Sequence, residues 1–308
     1  MSSAAEPVPS VVVSEELFAP VSPGIELCYQ TFGDPGDDPL LLVMGLGGPM
    51  NWWHPDLCSL LAARGFFVVR FDNRDVGRST KIGGRVKRSA LVRAFAGRGG
   101  RPPYTLTDMA HDAFGLLDHL GIQAAHVVGV SMGGMIVQTM AVEKPERIRS
   151  LTSIMSTSGK RSVGWQHPKL LPILLAPRGP GRKAYAETSA RLWQMIGSPA
   201  YPTDHEEILA RAEETWDRGF SANGVMRQML AILNQPNRSL RLRSLTMPTL
   251  VVHGLSDHMV HVSGGRATAA AIPGAELLLV EGMGHDLPRA LWGTFVDAIR
   301  HTADRATR

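Results

Sequence analysis

The stretch AAHVVGVSMGGMIVQTMAVE, residues 124–143, decides how this chain is read. Its opening is valine-rich, as a strand buried on both faces is. From Met132 onward the apolar residues follow helical spacing. Between the two, Gly129-Val130-Ser131-Met132-Gly133 fits the pattern Gly-x-Ser-x-Gly. A chain that passes from strand to helix across one residue holds that residue in a strained conformation. Glycines two places before and two places after remove side chains that would clash at the turn. The serine hydroxyl then projects above the sheet, near the positive end of the helix. The bare pattern is weak evidence. The strand before it and the helix after it make it specific, and they mark Ser131 as a candidate nucleophile.

Working outward, GIELCYQTFGD (residues 24–34) alternates like a half-buried strand. Continuous apolar runs follow in PLLLVM (39–44), GFFVVRFDNRD (65–75) and RIRSLTSIMS (147–156). TLTDMAHDAFGLLDHLGI (105–122) reads as an amphipathic helix with Thr105 or Thr107 as cap and Gly121 as stop. A further helix is expected near residues 53–64. Strands alternating with helices predict an α/β fold, a doubly wound, mostly parallel sheet with right-handed crossovers. Chemistry is then expected at the carboxyl ends of the strands. The alternation stops after Ser158 and resumes at PTLVVHG (248–254) and AELLLVEG (275–282). Residues 159–241 are helical or loop-like, which predicts an inserted helical lid. The core is then 16–158 and 242–308, and residues 1–15 read as a flexible lead.

The totals agree with a large buried core. The chain has 308 residues, 44% hydrophobic and 19% charged. A net charge of +4 is too small and too dispersed for a nucleic-acid binder. The two cysteines, Cys28 and Cys58, match no disulfide framework and no zinc spacing. The N-terminus lacks a basic signal region, and no apolar run approaches membrane length. A soluble cytoplasmic protein is expected.

A serine needs a base, and the base needs an orienting carboxylate. In this strand–turn–helix context the order along the chain is serine, acid, histidine. Of 11 histidines, His285 in EGMGHDLP alone follows the last buried strand on a glycine-rich turn. For the acid, Asp257 in VVHGLSDHMV lies just past the preceding strand. Asp286 is its rival, but side chains adjacent in sequence usually point apart. The tetrahedral oxyanion needs N–H donors. Met132, after the nucleophile, supplies one backbone N–H, and Leu46 in MGLGG supplies the second. That loop lacks the glycine spacing of a dinucleotide site and the Gly-Lys-Ser/Thr of a phosphate loop. Asp257, His258 and His261 lack a metal-ligand spacing, and HEEIL at His205 lacks a second histidine four residues on. No metal and no cofactor are expected.

The motifs GVSMGG, FDNRDVGRS, GLSDHMV and GMGHDLP together resemble the α/β-hydrolase superfamily. LLLVMGLGG, RFDNRDVGRST and HVVGVSMGGMIVQTMA resemble more narrowly the branch of aclacinomycin-type methylesterases and mycobacterial lipase/esterase proteins. The resemblance implies hydrolysis of a carboxylic ester, or a thioester, through a seryl acyl-enzyme. It places Ser131, Asp257 and His285 on the triad positions and Leu46 and Met132 on the oxyanion positions. Many relatives carry histidine before the first loop glycine, where this chain has Met44, so loop anchoring is a specific question.

The insertion carries Leu170, Leu171, Leu174, Leu175, Trp193, Met195, Met226, Met229, Leu230 and Leu233. These read chiefly as core, with some free to line an acyl cleft. The FDNRDVGRS loop, with Asp72, Arg74, Asp75 and Arg78, reads as charge-braced structure. Residues 81–101 hold seven basic and no acidic residues, with Leu91, Val92 and Phe95 among them. The segment reads as a solvated loop or as a patch for an anionic membrane surface. The whole predicts a serine esterase for a small-molecule ester or lipid. A thioesterase, a lysophospholipase and a low-turnover ligand-binding receptor are the alternatives on the same residues.

Overall fold

The computed structural model describes residues 9–170, residue 173 and residues 181–306. Leu171, Leu174 and Leu175 lie outside the described residues. The chain opens with β1 (Leu17–Ser22), β2 (Ile25–Phe32), β3 (Asp38–Val43), α1 (Pro55–Ala62) and β4 (Phe66–Phe71). It continues through α2 (Arg88–Phe95), α3 (Leu106–His119), β5 (Ala125–Val130), α4 (Met132–Glu143) and β6 (Ile148–Ile154). Between β6 and β7 lie α5 (Arg182–Ile196), α6 (His205–Asp217), α7 (Ala222–Leu233) and α8 (Ser239–Leu242). The chain then returns to β7 (Thr249–Gly254), α9 (Ser263–Ala271), β8 (Glu276–Val280) and α10 (Trp292–Asp304).

The eight strands form one sheet in the order β1-β2-β4-β3-β5-β6-β7-β8. β1 and β2 are an antiparallel hairpin, and β2 pairs antiparallel with β4. All other pairs are parallel, so the sheet is the mostly parallel one expected. β1 was not foreseen. It is a mostly exposed edge strand, LFAPVS, whose apolar run is interrupted by Pro20, a residue that argues against a strand away from a sheet edge. Val12 and Ser14, in the expected lead, are tied to β2: Gly33 N donates to Val12 O at 2.9 Å and Ser14 N to Thr31 O at 3.0 Å.

Strand periodicity divides the core into two layers. Leu41 and Val43 of β3, with Val69 and Phe71 of β4, pack against α3 and α4. Leu40 and Leu42, with Phe66 and Val68, pack against α1 and α10. Thr105 caps α3 through a reciprocal pair with Asp108, and Gly121 follows that helix at φ 70°. From β3 the chain winds outward to β4 and then crosses back to β5 on the other side of β3. The carboxyl ends of β3 and β5 therefore flank the switch point, where such sheets leave a crevice.

Buried and partly buried polar contacts join the residues between β6 and β7 to the rest. Arg227 of α7 forks onto Asp75 at 2.7 and 2.8 Å. Arg218, after α6, reaches Asp72 at 2.9 Å. Trp52 Nε1 donates to Thr215 Oγ1 at 2.9 Å. Among the described residues no helix is long and apolar enough to cross a membrane.

Candidate active site

Ser131 stands between β5 and α4 with φ 57° and ψ −116°, a conformation L-residues occupy only at cost. The flanking glycines explain how the turn is built. A Cβ on Gly129 would sit 2.2 Å from the Gly133 carbonyl oxygen, and one on Gly133 2.0 Å from that of Val43. Ser131 N donates to Ile154 O at 2.9 Å, and Ser156 Oγ donates to Ser131 O at 2.7 Å. The turn is thus pinned from β6 as well as by its own glycines.

His285 lies in the loop after β8 and is buried, with its Nε2 3.0 Å from Ser131 Oγ. Its Nδ1 lies 2.7 Å from Asp257 Oδ2. The other oxygen of Asp257 accepts the N–H groups of Met259 and Val260, each at 2.8 Å. Burial alone would raise the Asp257 carboxyl. The neighbouring charge of His285 and hydrogen bonds from His253 and His285 more than offset that, holding it well below the usual carboxylate range. Asp257 is therefore a carboxylate able to orient the Nδ1–H of His285.

Asp286 is turned elsewhere. It accepts a hydrogen bond from Ser198 Oγ, and Ser198 Oγ in turn accepts from Gly284 N at 2.9 Å. Burial raises its carboxyl, and hydrogen bonds from Ser198 and the charge of Arg211 offset this only in part. His285 N also donates to Ile196 O at the end of α5, at 2.6 Å.

The loop after β3 borders the same serine. A Cβ on Gly45 would lie 3.2 Å from Ser131 Cβ and 3.7 Å from its Oγ. Among the described residues, the N–H groups of Leu46 and Met132 have no hydrogen-bond acceptor. Met44 is buried, and its carbonyl accepts from Asn73 Nδ2 at 3.0 Å. Met50 N, just beyond the loop, donates to Asp72 Oδ1 at 2.7 Å. The FDNRD segment thus anchors the loop in a chain where Met44 occupies the place of the frequent histidine.

The structure brings Ser131, His285 and Asp257 into contact; Met132 follows Ser131 in the chain, and Leu46 follows Gly45, which borders Ser131. It also adds residues the sequence did not single out. His253 of β7 places Nε2 2.7 Å from Val260 O and 3.4 Å from Asp257 Oδ2. Asn73, Ser156, Ser198 and Gln228 likewise brace the site loops. Each acts through a long-range contact that no local pattern encodes, although Asn73 falls within the motif first read as a braced loop. Among the described residues no group of three His, Cys, Asp or Glu side chains could hold a metal ion.

The model of the α/β-hydrolase fold family matches residues 38–288, and the chain belongs to that family. Within it, the chain is 30% identical over 299 residues to a rhodomycin D methylesterase of Streptomyces peucetius, covering 89% of this chain and 94% of that one. It is 29% identical over 297 residues to the enzyme of the same name from Streptomyces sp. strain C5, with the same two coverages of 89% and 94%. These relationships make the chain an enzyme, a carboxylic ester hydrolase resembling the methylesterase branch. The crystal structure of an enol-lactonase from Burkholderia xenovorans LB400 superposes with a TM-score of 0.73 at 22% identity, over 94% of this chain and all (100%) of that one. That likeness is one of fold.

Proposed function

We propose that the chain hydrolyses carboxylic esters through a seryl acyl-enzyme. The reading rests on one observation, the continuous contact Ser131 Oγ–His285 Nε2–His285 Nδ1–Asp257 at 3.0 and 2.7 Å. Ser131 attacks the ester carbonyl while His285 takes its proton. Asp257 orients the imidazole and stabilises its cation. The Leu46 and Met132 N–H groups hold the oxyanion, and His285 returns the proton to the departing alcohol. Water activated by His285 then releases the acid. Residues 159–241 act as a cap over this centre. The methylesterase relatives favour a methyl or other small-alcohol ester on a larger apolar acyl group. Thioesters and lysophospholipids are the runner-up substrates. A low-turnover ligand receptor is the alternative outside catalysis.

Ser131→Ala is expected to abolish hydrolysis of p-nitrophenyl esters and labelling by a fluorophosphonate; unchanged turnover would sink the reading. In a series of methyl esters, longer alkyl esters and thioesters, methyl esters of bulky acids are expected to show the highest kcat/KM. A wild-type protein that labels slowly and turns over none of them is the receptor.

We propose further that residues 81–101 dock on anionic lipid. Val92 and Phe95 on α2 are 69% and 71% exposed. Arg88, Val92 and Phe95 share one helical face. Among the described residues Arg85, Lys87, Arg88, Arg93, Arg98 and Arg101 make no ion pair, although acidic residues lie elsewhere on the surface. Each such cation near an anionic surface contributes about 1 kcal/mol, and two apolar side chains stand ready to insert. The protein is expected to float with phosphatidylglycerol vesicles and not with phosphatidylcholine alone, and Phe95→Ala to weaken the association. Failure to bind either vesicle removes the proposal.

A further inference from the structure

The side chain of Gln228, on α7 of the inserted segment, is fully buried. Its Oε1 accepts the Gly47 N–H at 2.8 Å, and its Nε2 donates to Arg74 O at 2.9 Å. Both ends of the amide are thus committed. A flipped amide would set donor against donor at Gly47 and acceptor against acceptor at Arg74, so only one orientation fits.

What Gln228 grips is the middle of a turn. Gly48 N donates to Gly45 O at 3.2 Å, and Gly47 between them has φ 66°. A four-residue turn with positive φ at its third residue is of type II. Its central peptide, between Leu46 and Gly47, can rotate to the type I orientation unless something holds it. The bond from Gly47 N–H to Gln228 holds it. Val225, one turn earlier on the same helix, closes the space from above: a Cβ on Gly47 would meet its Cγ2 at 2.9 Å. Leu46, whose N–H has no acceptor among the described residues, precedes Gly47 in this turn, and Gly45 before it borders Ser131.

We infer that Gln228 is a positioning residue for ester hydrolysis, anchoring the loop at Gly47 and so holding the neighbouring Leu46 backbone, with its oxyanion N–H, in place against the Ser131 turn. The inference rests on the acyl-enzyme reading above. It predicts a transition-state defect in place of a binding defect. Gln228→Leu is expected to lower kcat about 10- to 100-fold, short of the 10²–10³ reported for outright loss of a donor. KM should stay within about twofold. Affinity for an alkyl boronic acid, which forms a tetrahedral adduct on serine, should fall in parallel with kcat. Affinity for the product acid should not.

Gln228→Glu keeps an oxygen at the Gly47 N–H but loses the donor to Arg74 O, so kcat is expected to fall less than in Gln228→Leu. Gln228→Asn, one methylene shorter, stays polar but cannot reach, and should reproduce the loss even if the leucine variant fails to fold. Wild-type kcat in folded Gln228→Leu or Gln228→Asn overturns the inference, as do equal losses in the glutamate and leucine variants. Ser131→Ala separates the two levels. If Ser131→Ala remains active, the acyl-enzyme reading falls. If it is inactive while Gln228→Asn runs normally, only the role of Gln228 falls.

Discussion

Asp257 and Asp286 are both buried, and their surroundings push them in opposite directions. Asp257 faces His285 and His253 and accepts two backbone N–H groups, so its carboxyl is depressed. Its contribution to stability is fully present above the unfolded carboxyl value of about 3.9 and is lost as pH falls through the lower folded value. Asp286 lies against Ser198 with its carboxyl raised, so as pH rises past about 3.9 the unfolded state ionises first and stability declines. The two asparagine variants are therefore expected to diverge. Asp257→Asn should lose about 10⁴ in kcat, because the histidine tautomer is no longer fixed. It should also be less stable than wild type at pH 7, with the gap narrowing below pH about 4. Asp286→Asn should keep kcat within about tenfold and melt no lower than wild type at pH 7, because an amide oxygen still accepts from Ser198 and no carboxyl need ionise. Ester kinetics and thermal melts across pH check both. A large kcat loss confined to Asp286→Asn would reverse the assignment of the acid.

At the scale of elements, α7 is the helix whose sequence misleads. Met226 and Met229 stand out as its apolar residues, yet they are only half-buried, while Arg227 and Gln228 are buried completely or nearly so. Hydrophobic periodicity assumes that a helix buries carbon. Here the facing loop offers a carboxylate, a carbonyl and an N–H, and the helix buries their partners instead. The aspartate concerned, Asp75, sits at φ 73° and also takes the Tyr104 hydroxyl at 2.7 Å, features that no spacing rule reveals. Removing one member of such a buried pair leaves the other uncompensated. Arg227→Met is therefore expected to cost about 3–5 kcal/mol of stability in urea denaturation. The double change Arg227→Met with Asp75→Leu should recover a large part of it. A double variant no better than the single one would show that Asp75 matters for its other bonds.

Over the whole molecule, what could be read from the sequence was what short-range rules govern. The apolar runs marked the parallel strands: β3 to β7 are largely buried on both faces, which leaves few polar positions, whereas β8, expected as a buried strand, lies at the sheet edge with no buried residue. The Gly129 and Gly133 pair exposed the Ser131 turn, because the backbone there admits no Cβ. Asp257 and His285 were singled out by their place after β7 and β8, and the structure sets them 2.7 Å apart. The edge strand β1 escaped despite its apolar LFAPV, because Pro20 reads against a strand and only an edge position tolerates it. The braces around the site escaped too, because Asn73 to Met44, Ser198 to Gly284 and Gln228 to Gly47 join residues that are 29, 86 and 181 positions apart.

The same inserted segment holds two separate loops of the core. At one side Gln228 grips Gly47; at the other the Ile196 carbonyl takes His285 N–H and Ser198 takes Gly284 N–H. This limits how such enzymes can exchange parts. A foreign insertion grafted between Ser158 and Leu242 to change specificity would bring its own pocket but neither clamp. On the proposed reading, grafts that keep equivalents of Ile196, Ser198 and Gln228 are expected to retain ester hydrolysis, and those chosen for pocket shape alone to lose most of it.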